Sequence, residues 1–219
     1  FFFDFLVDWN KLIKYSLLIK GGRKMVNELS MNKNLISIKN KDKSDKLIKS
    51  LNLNRLPKAE FKKDEIDKVK DFLNKSDCKY YSIRSKIKSS GKFFYKVKPD
   101  DVIDRIKNFD IFVLSESLVE ADEKNLILQG SIQIFNDWTC IASLSDVKGQ
   151  PNREAENNPK YKLFFNIIDD YEPNIRGLKQ VIDYYVTHEL FNFVLEFTLY
   201  DIPIGINKEN IIVWEIRDY

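Results

Sequence analysis

Two carboxylates near the C-terminus offer the clearest chemistry in the chain. Residues 192–219 read NFVLEFTLYDIPIGINKENIIVWEIRDY, two apolar runs joined by a Pro/Gly/Asn loop, which predicts a strand–loop–strand hairpin. Because side chains alternate between the faces of a strand, Glu196 shares a face with Thr198, and Glu215 shares one with Arg217. In an antiparallel pair the three charged groups can meet on one face, where carboxylates suit a hard cation and arginine suits phosphate. A plainer explanation competes, because an exposed Glu–Arg cross-strand pair contributes only about 0.2–1 kcal/mol and requires no ligand.

A second set of candidate side chains is basic. The runs YYSIRSK at 80–86 and FFYKV at 93–97 flank a Ser/Gly/Lys loop, so they predict a β-hairpin whose tip approaches phosphate. Among the cations of this region, Arg84, Lys96 and Lys98 are candidates for binding, and each either extends to solvent or points into a binding cleft. The loop holds one glycine, far short of a nucleotide-binding fingerprint, and is weak evidence by itself.

Composition narrows the chemistry that the chain can support. Its 219 residues, 43% of them hydrophobic, are enough for one domain with a core or for two small lobes sharing a cleft. The formal net charge of +3 arises from interspersed charges, so it neither indicates nor excludes a nucleic-acid partner. Cys78 and Cys140 are far apart and form no C-x-x-C motif, which fits a reducing cytoplasm and makes a structural zinc site unexpected. With His188 as the single histidine, a Ser-His-Asp triad would depend on that residue, and carboxylate, lysine and arginine chemistry is favoured.

The first 24 residues look membrane-like but do not predict a membrane span. Charged residues interrupt every apolar run well short of the ~20 residues needed, namely Asp4, Asp8, Lys11, Lys14 and Lys20. The Gly-Gly-Arg-Lys sequence at 21–24 is what a purine-rich ribosome-binding site would encode in frame, which suggests translation from Met25 or Met31 and an untranslated extension before it. The competing interpretation is an amphipathic helix that docks on the body of the protein. We expect a cytoplasmic protein with no membrane partner.

The remaining chain is predicted to consist of a helical lead-in over 25–78 and a larger unit over 79–219. The lead-in contains two helices with Ser44 and Asp64 as N-caps, joined by an extended connector at Pro57. In the larger unit, the basic hairpin precedes a short helix after Pro99 and strands at 109–114, 125–135, 137–144 and 163–168, with a long helix at 175–190 before the closing hairpin. The polar segment 145–162, which contains Arg153, predicts a mobile loop of the kind that forms lids.

Three short segments resemble a known family. YSIRS at 81–85 looks like the VRSS segment in the nucleotide-binding domain of phosphoenolpyruvate synthases and pyruvate phosphate dikinases. VLEF at 194–197 is similar to that family's IEW segment, and WEIR at 214–217 to its terminal LQxR. The order of elements over about residues 52–219 resembles the ATP-grasp superfamily. Departures from the family pattern are Lys86 in place of the second serine, Glu215 in place of glutamine and Asp218 in place of proline.

The resemblance implies an α+β fold, an ATP-grasp-like two-lobed clamp of antiparallel sheets with flanking helices. It implies ATP and Mg as cofactors, with Glu196 and Glu215 holding magnesium and Arg217 binding the polyphosphate. Arg84 would contact phosphate, Lys96 or Lys98 would supply a phosphate-binding lysine, Glu116 would lie at the hinge near the adenine, and Arg153 would act from the lid.

The activity expected from this resemblance is that of an ATP·Mg-dependent ligase or phosphotransferase, with the acceptor unassigned. The alternative is a non-enzymatic RNA-binding or interaction module, or a degenerate ATP-grasp relative. In that alternative, Tyr80 and Tyr81 beside Arg84 would form a stacking and phosphate-binding surface.

Overall fold

A computed structural model describes residues 41–86, 93–149, 158–168 and 173–217. The chain divides into two compact units, Phe1–Ile38 and Lys39–Tyr219. The first unit, with the predicted extension over 1–24 and both candidate start sites, lies outside the described residues. Arg153 and the middle of the predicted lid, residues 150–157, lie outside them as well.

The described residues form five helices and nine strands. In chain order these are α1 (Lys41–Ser50), β1 (Lys58–Lys62), α2 (Ile66–Asn74), β2 (Tyr81–Ser85), β3 (Phe93–Val97), α3 (Pro99–Ile106), β4 (Ile111–Glu116), α4 (Val119–Lys124), β5 (Leu126–Ile134), β6 (Thr139–Ser145), β7 (Tyr161–Asn166), α5 (Leu178–Thr187), β8 (Val194–Ile204) and β9 (Glu209–Arg217). They assemble into two antiparallel sheets.

The first sheet has four strands in the order β1-β4-β2-β3. Side chains alternate between the two faces along each strand, and one face carries the apolar side chains that pack against α2 and α3. This core contains Phe61, Val69, Tyr81, Ile83, Val97, Val102, Ile106, Phe109, Phe112 and Leu114. The opposite face carries Ser82, Arg84 and Ser115, and the hydroxyls of the two serines are 2.7 Å apart.

The second sheet has five strands in the order β7-β6-β5-β8-β9. One face is apolar and packs against α5 and α1, with Leu195, Phe197 and Tyr185 fully buried in this core. Burial of each large apolar side chain contributes roughly 1.5–3 kcal/mol, so this face supplies much of the stability of the sheet. Its other face carries polar side chains.

The two sheets are joined through a small third cluster. Its residues are Leu56 before β1, Ala121 on α4, and Leu126, Tyr200 and Ile212 on strands β5, β8 and β9 of the second sheet. Since α4 follows β4 directly and precedes β5, the chain crosses from one sheet to the other at this cluster.

The structure confirms the predicted α+β class with two antiparallel sheets and flanking helices. It corrects three details. The predicted connector at Pro57 leads into β1, so the four-stranded sheet begins at residue 58, inside the predicted helical lead-in. Ser44 lies within α1 and accepts a hydrogen bond from the Ile216 amide at 2.8 Å, so it is not an N-cap. Helix α4 was not predicted.

Candidate functional site

Glu196, Glu215 and Arg217 lie together on the polar face of the five-stranded sheet. Glu196 and Glu215 are direct partners on β8 and β9. The Arg217 guanidinium donates from Nη2 to Glu196 Oε2 at 2.7 Å and from Nε to Glu215 Oε1 at 3.1 Å. Their side chains are only 14%, 13% and 15% exposed, respectively. The predicted sharing of one face is therefore confirmed, and the charges are far less solvated than those of a surface cross-strand pair.

A β-bulge beside the carboxylates adds a tryptophan to the same face. The register shifts between Glu196 and Phe197, so that Trp214 is the extra residue of β9 at this point. Its indole Nε1 donates to Thr198 Oγ1 at 2.8 Å. Because Thr198 is two residues from Glu196 on β8, the indole lies on the carboxylate side of the sheet.

Neutral polar side chains continue this face across the three inner strands, β6, β5 and β8. They are Gln129, Ser131 and Gln133 on β5, Ser143 and Ser145 on β6, and Thr198 on β8, all buried. The register aligns Ser131 with both Glu196 and Ser143. The alternating pattern Gln-x-Ser-x-Gln over 129–133 indicates a polar strand face. The sequence analysis predicted a strand here but did not identify its polar face.

Gly130 allows β5 and β6 to approach closely within this polar face. Its φ is +140°, and a Cβ placed there would collide with the carbonyl oxygen of Ser143. Only glycine satisfies both the backbone conformation and the space. The spacing of the neighbouring Gln129 and Ser131 side chains thus depends on a residue that contributes no side chain.

Asp122 on α4 links the polar faces of the two sheets. Tyr200 Oη donates to Asp122 Oδ1 at 2.6 Å, and Tyr95 Oη donates to Oδ2 at 3.3 Å. Tyr200 lies on β8 and shares the alternation of Glu196 and Thr198. Burial raises the pKa of the Asp122 carboxyl, and burial together with the Asp122 charge raises the pKa of the Tyr200 phenol.

The contacts of Tyr95 extend from Asp122 toward the strand partner of Arg84 in the four-stranded sheet. Tyr95 stacks on Phe93 with ring centroids 6.3 Å apart, and Phe93 is the β3 partner of Arg84. Directly paired residues share a face, so the Arg84 face and the Glu196 face both converge on Asp122. Both polar faces therefore reach helix α4, through the hydrogen bonds of Tyr95 and Tyr200 to Asp122.

The other predicted side chains are placed apart from the carboxylates. Lys96 has a φ of +59° at the irregular part of β3, and its Nζ lies 5.6 Å from the Tyr80 ring centroid. Lys98 precedes α3 and lines an open depression of about 480 Å³ together with residues 76–80. Glu116 ends β4 on the core face, opposite to the Arg84 face, and its Oε1 accepts a hydrogen bond from Ser76 at 2.6 Å.

The donor set at the carboxylate pair fits magnesium. Glu196 and Glu215 present hard oxygen donors from adjacent strands, and Mg²⁺ is commonly held by one or two carboxylates, with water and substrate phosphates completing its shell. Among the described residues no group of three or more His, Cys, Asp or Glu side chains could hold a metal. The pair therefore suits a metal delivered with a phosphate ligand better than a metal enclosed by protein alone.

Comparisons with known proteins give likeness of fold only. No family model matches the chain, and no curated protein matches it. Similar solved structures include D-alanyl-alanine synthetase A from Vibrio cholerae O1 biovar eltor str. N16961, at 13% identity and a TM-score of 0.46, covering 82% of this chain and 54% of that one. Another is the D-alanine–D-alanine ligase of Helicobacter pylori, at 12% identity and 0.43, covering 79% and 51%.

A third is the macrocyclase MdnC bound with precursor peptide MdnA from Microcystis aeruginosa MRC, at 12% identity and 0.45, covering 94% of this chain and 60% of that one. The chain spans about half to three-fifths of their lengths. At such identities and TM-scores the likeness assigns neither family nor activity. Among the described residues, no helix has the length and apolar character needed to cross a membrane.

Proposed function

We propose that the chain binds ATP·Mg in the cleft between its two sheets and acts as an ATP-grasp-type ligase or phosphotransferase. The observation that carries this proposal is the Glu196–Glu215–Arg217 cluster, which lies nearly buried on the polar face of the five-stranded sheet. Arg84 is exposed on the polar face of the four-stranded sheet. Carboxylates on one side and a cation on the other match the needs of a magnesium polyphosphate.

Each residue has a distinct role in this proposal. Glu196 and Glu215 would hold the magnesium ion, which would neutralise negative charge on the phosphates during transfer. Arg217 would keep the two carboxylates in place and bind the polyphosphate, and Arg84 would contact phosphate from the other sheet. Lys96, Lys98 and Arg153 keep the supporting roles that the sequence resemblance implies, whereas Glu116 has no role in this proposal because it lies on the core face, opposite to Arg84. The closer resemblance to phosphoenolpyruvate synthases and pyruvate phosphate dikinases is likewise part of the proposal.

The reaction would transfer the γ-phosphoryl group of ATP to an oxygen of the acceptor. The acceptor oxygen bonds to the γ-phosphorus while the bond to the bridging oxygen breaks, and ADP leaves. If the acceptor is a carboxylate, the product is an acyl phosphate, which a nucleophile can then attack. The buried neutral face of Gln129, Ser131 and Ser143 would exclude water near the transferred group.

Thermal unfolding with millimolar Mg·ATP tests the proposal. A nucleotide at 100 times its Kd stabilises a protein by about 2.7 kcal/mol, or roughly 5–10 °C in Tm for a chain of this length. We expect this shift in wild type and its loss in the double variant Glu196→Gln, Glu215→Gln. Glu189→Gln, at an exposed glutamate after α5, is the control and should retain the shift. An unshifted wild type, or a full shift in the double variant, contradicts the proposal.

One observation favours the second candidate, an RNA-binding or interaction module. Phe93 and Tyr95 are 56% and 51% exposed and stacked beside Arg84, an arrangement on which a base can stack while its phosphate meets the cation. Titration of a single-stranded RNA oligonucleotide at several salt concentrations separates the candidates. Tight binding with a steep salt dependence that Mg·ATP does not compete would favour the second.

A further inference from the structure

Lys58 and Arg55 are basic residues that the sequence did not single out. Lys58 opens β1 and is the partner of Ser115 on β4, which is the partner of Ser82 on β2. Paired residues share a face, so Lys58 lies on the same face as Arg84, two strands away. Arg55 precedes it by three residues, in the segment that enters the sheet.

Positive charge exceeds negative charge at this point of the sheet. Lys58 forms an ion pair with Asp45 on α1, and Glu60 on the same face pairs with Lys86 at 3.0 Å. Arg84 forms no ion pair with the described part of the chain, and Arg55 Nη1 is buried without a hydrogen-bond partner. Burial is the largest cause that lowers the pKa of Lys58, and the charges of Arg55 and Arg84 lower it further, against the Asp45 partner that raises it.

Helix α1 contacts both the basic group and strand β9. Asp45, the partner of Lys58, follows Ser44, whose hydroxyl accepts from the Ile216 amide at 2.8 Å. Ile216 stands between Glu215 and Arg217 on β9. The first turn of α1 thus links Lys58 to the backbone of β9, while the helix itself packs on the apolar face of the sheet.

We propose that Arg55, Lys58 and Arg84 form a single anion-binding patch that receives the polyphosphate chain of the nucleotide. This inference rests on the proposed function and identifies two of its binding residues. A polyphosphate supplies the acceptor that Arg55 Nη1 lacks, and its negative charge matches the excess of positive charge at this point of the sheet. A buried donor without a partner destabilises a fold, so Arg55 costs stability in the absence of the anion.

Calorimetric titration of the full chain with two probes tests the patch. The probes are ATP with Mg²⁺ and metal-free inorganic tripolyphosphate, which has no base and needs no carboxylate site. The variants are Arg55→Met, Lys58→Gln and Arg84→Gln, with Lys107→Gln as control because that side chain lies at the end of α3 and is 67% exposed. Removing one charge-assisted contact should weaken binding of both probes about tenfold to a hundredfold, while the control matches wild type.

The two probes distinguish the patch from the proposed function. If tripolyphosphate binds wild type and the variants weaken it, but Mg·ATP does not bind, the patch stands and the proposed function fails. If Mg·ATP binds and all three variants match Lys107→Gln, the patch is overturned and the proposed function stands. Absence of binding by both probes overturns both.

A stability measurement without ligand gives an independent check on Arg55. Replacing an unpartnered buried donor by an apolar side chain of similar length should raise the Tm of Arg55→Met by about 2–4 °C while anion binding weakens. A residue with a purely structural role would lower the Tm on substitution, and that result overturns the assignment of Arg55. Circular dichroism at 25 °C confirms that each variant is folded before titration.

Discussion

Replacement of Arg217 by methionine should expose the repulsion that the guanidinium now offsets. Methionine is apolar and of comparable length, so it keeps much of the packing and removes the charge. Glu196 and Glu215 would then oppose each other directly, with Cβ atoms about 4.5–5.5 Å apart as in other cross-strand pairs. Two like charges at about 5 Å repel by roughly 3 kcal/mol at an effective dielectric constant of about 20.

The expected loss of stability follows from this repulsion and from the burial of the pair. Removing one partner of a buried ion pair typically costs about 3–5 kcal/mol, and the 13–15% residual exposure of this cluster favours the lower end. For a chain of this size, a loss of about 3 kcal/mol corresponds to roughly 6–12 °C in Tm. One carboxyl can take up a proton instead, because the repulsion raises its pKa in the folded variant. The variant's deficit should therefore be small at low pH and grow as pH rises above about 4.3.

Calorimetric or fluorescence-monitored unfolding with and without millimolar Mg²⁺ measures both the deficit and the capacity of the pair for metal. Mg²⁺ restores positive charge between the carboxylates, and at ten times its Kd it should recover about 1.4 kcal/mol in Arg217→Met. Lys179→Met is the control, because its ion pair with Asp183 is exposed and contributes about 0.5 kcal/mol or less. A Tm within about 1 °C of wild type would refute the assigned repulsion. A full deficit that Mg²⁺ leaves unchanged would refute the metal capacity.

Other sites give sharper tests of the fold than of the chemistry. Gly130→Ala should destabilise the protein by more than about 3 kcal/mol in urea unfolding, because its Cβ collides with the Ser143 carbonyl at a φ that alanine disfavours. Asn54→Ala should cost about 3 kcal/mol in the same assay, because the fully buried amide donates to two strand carbonyls at 2.8 Å and accepts from the Asn207 amide at 2.9 Å. Asp122 has a pKa raised above 3.8, so its native carboxyl binds its proton more tightly than the unfolded chain does, and wild type should lose stability relative to Asp122→Asn as pH rises through and above that value. Burial raises the pKa of the Cys140 thiol to about 12, so a thiol reagent at pH 8 should label it only after unfolding, as mass spectrometry of the labelled peptide would show.

The closing hairpin could be predicted from the sequence because its information is local. Two β-rich runs with a Pro/Gly/Asn loop fix the strands, and period-two alternation fixes which charged side chains share a face. Strand β1 was missed for the opposite reason. Its sequence KAEFK is mostly charged, and it becomes a strand because β4, about 50 residues later, pairs with it. The register of that pairing places Lys58 on the same face as Arg84. It depends on long-range contacts that local sequence patterns do not encode.

The polar face was missed because buried serine and glutamine look like surface residues in a sequence. A run such as Gln129-Gly-Ser-Ile-Gln is ambiguous between a solvated strand face and a buried one until the other layers are known. The Tyr200–Asp122 hydrogen bond was out of reach as well, since it joins residues 78 positions apart. Local sequence patterns therefore identified the carboxylates, whereas the buried polar face around them could be identified only from the tertiary structure.

The two faces of the five-stranded sheet differ in role: the apolar face contributes to stability, and the polar face carries the candidate site. The face against α5 is apolar throughout its core, and hydrophobic burial there is sufficient reason for its residues. The other face buries Gln129, Ser143 and Thr198 on central strands, where apolar side chains would be the more stabilising choice. Burying polar groups on one face costs stability unless they are hydrogen-bonded, as the Thr198 hydroxyl is to the Trp214 indole. Truncation on the α5 face should thus lower Tm with and without nucleotide alike, whereas changes on the polar face should act mainly on the difference between the two.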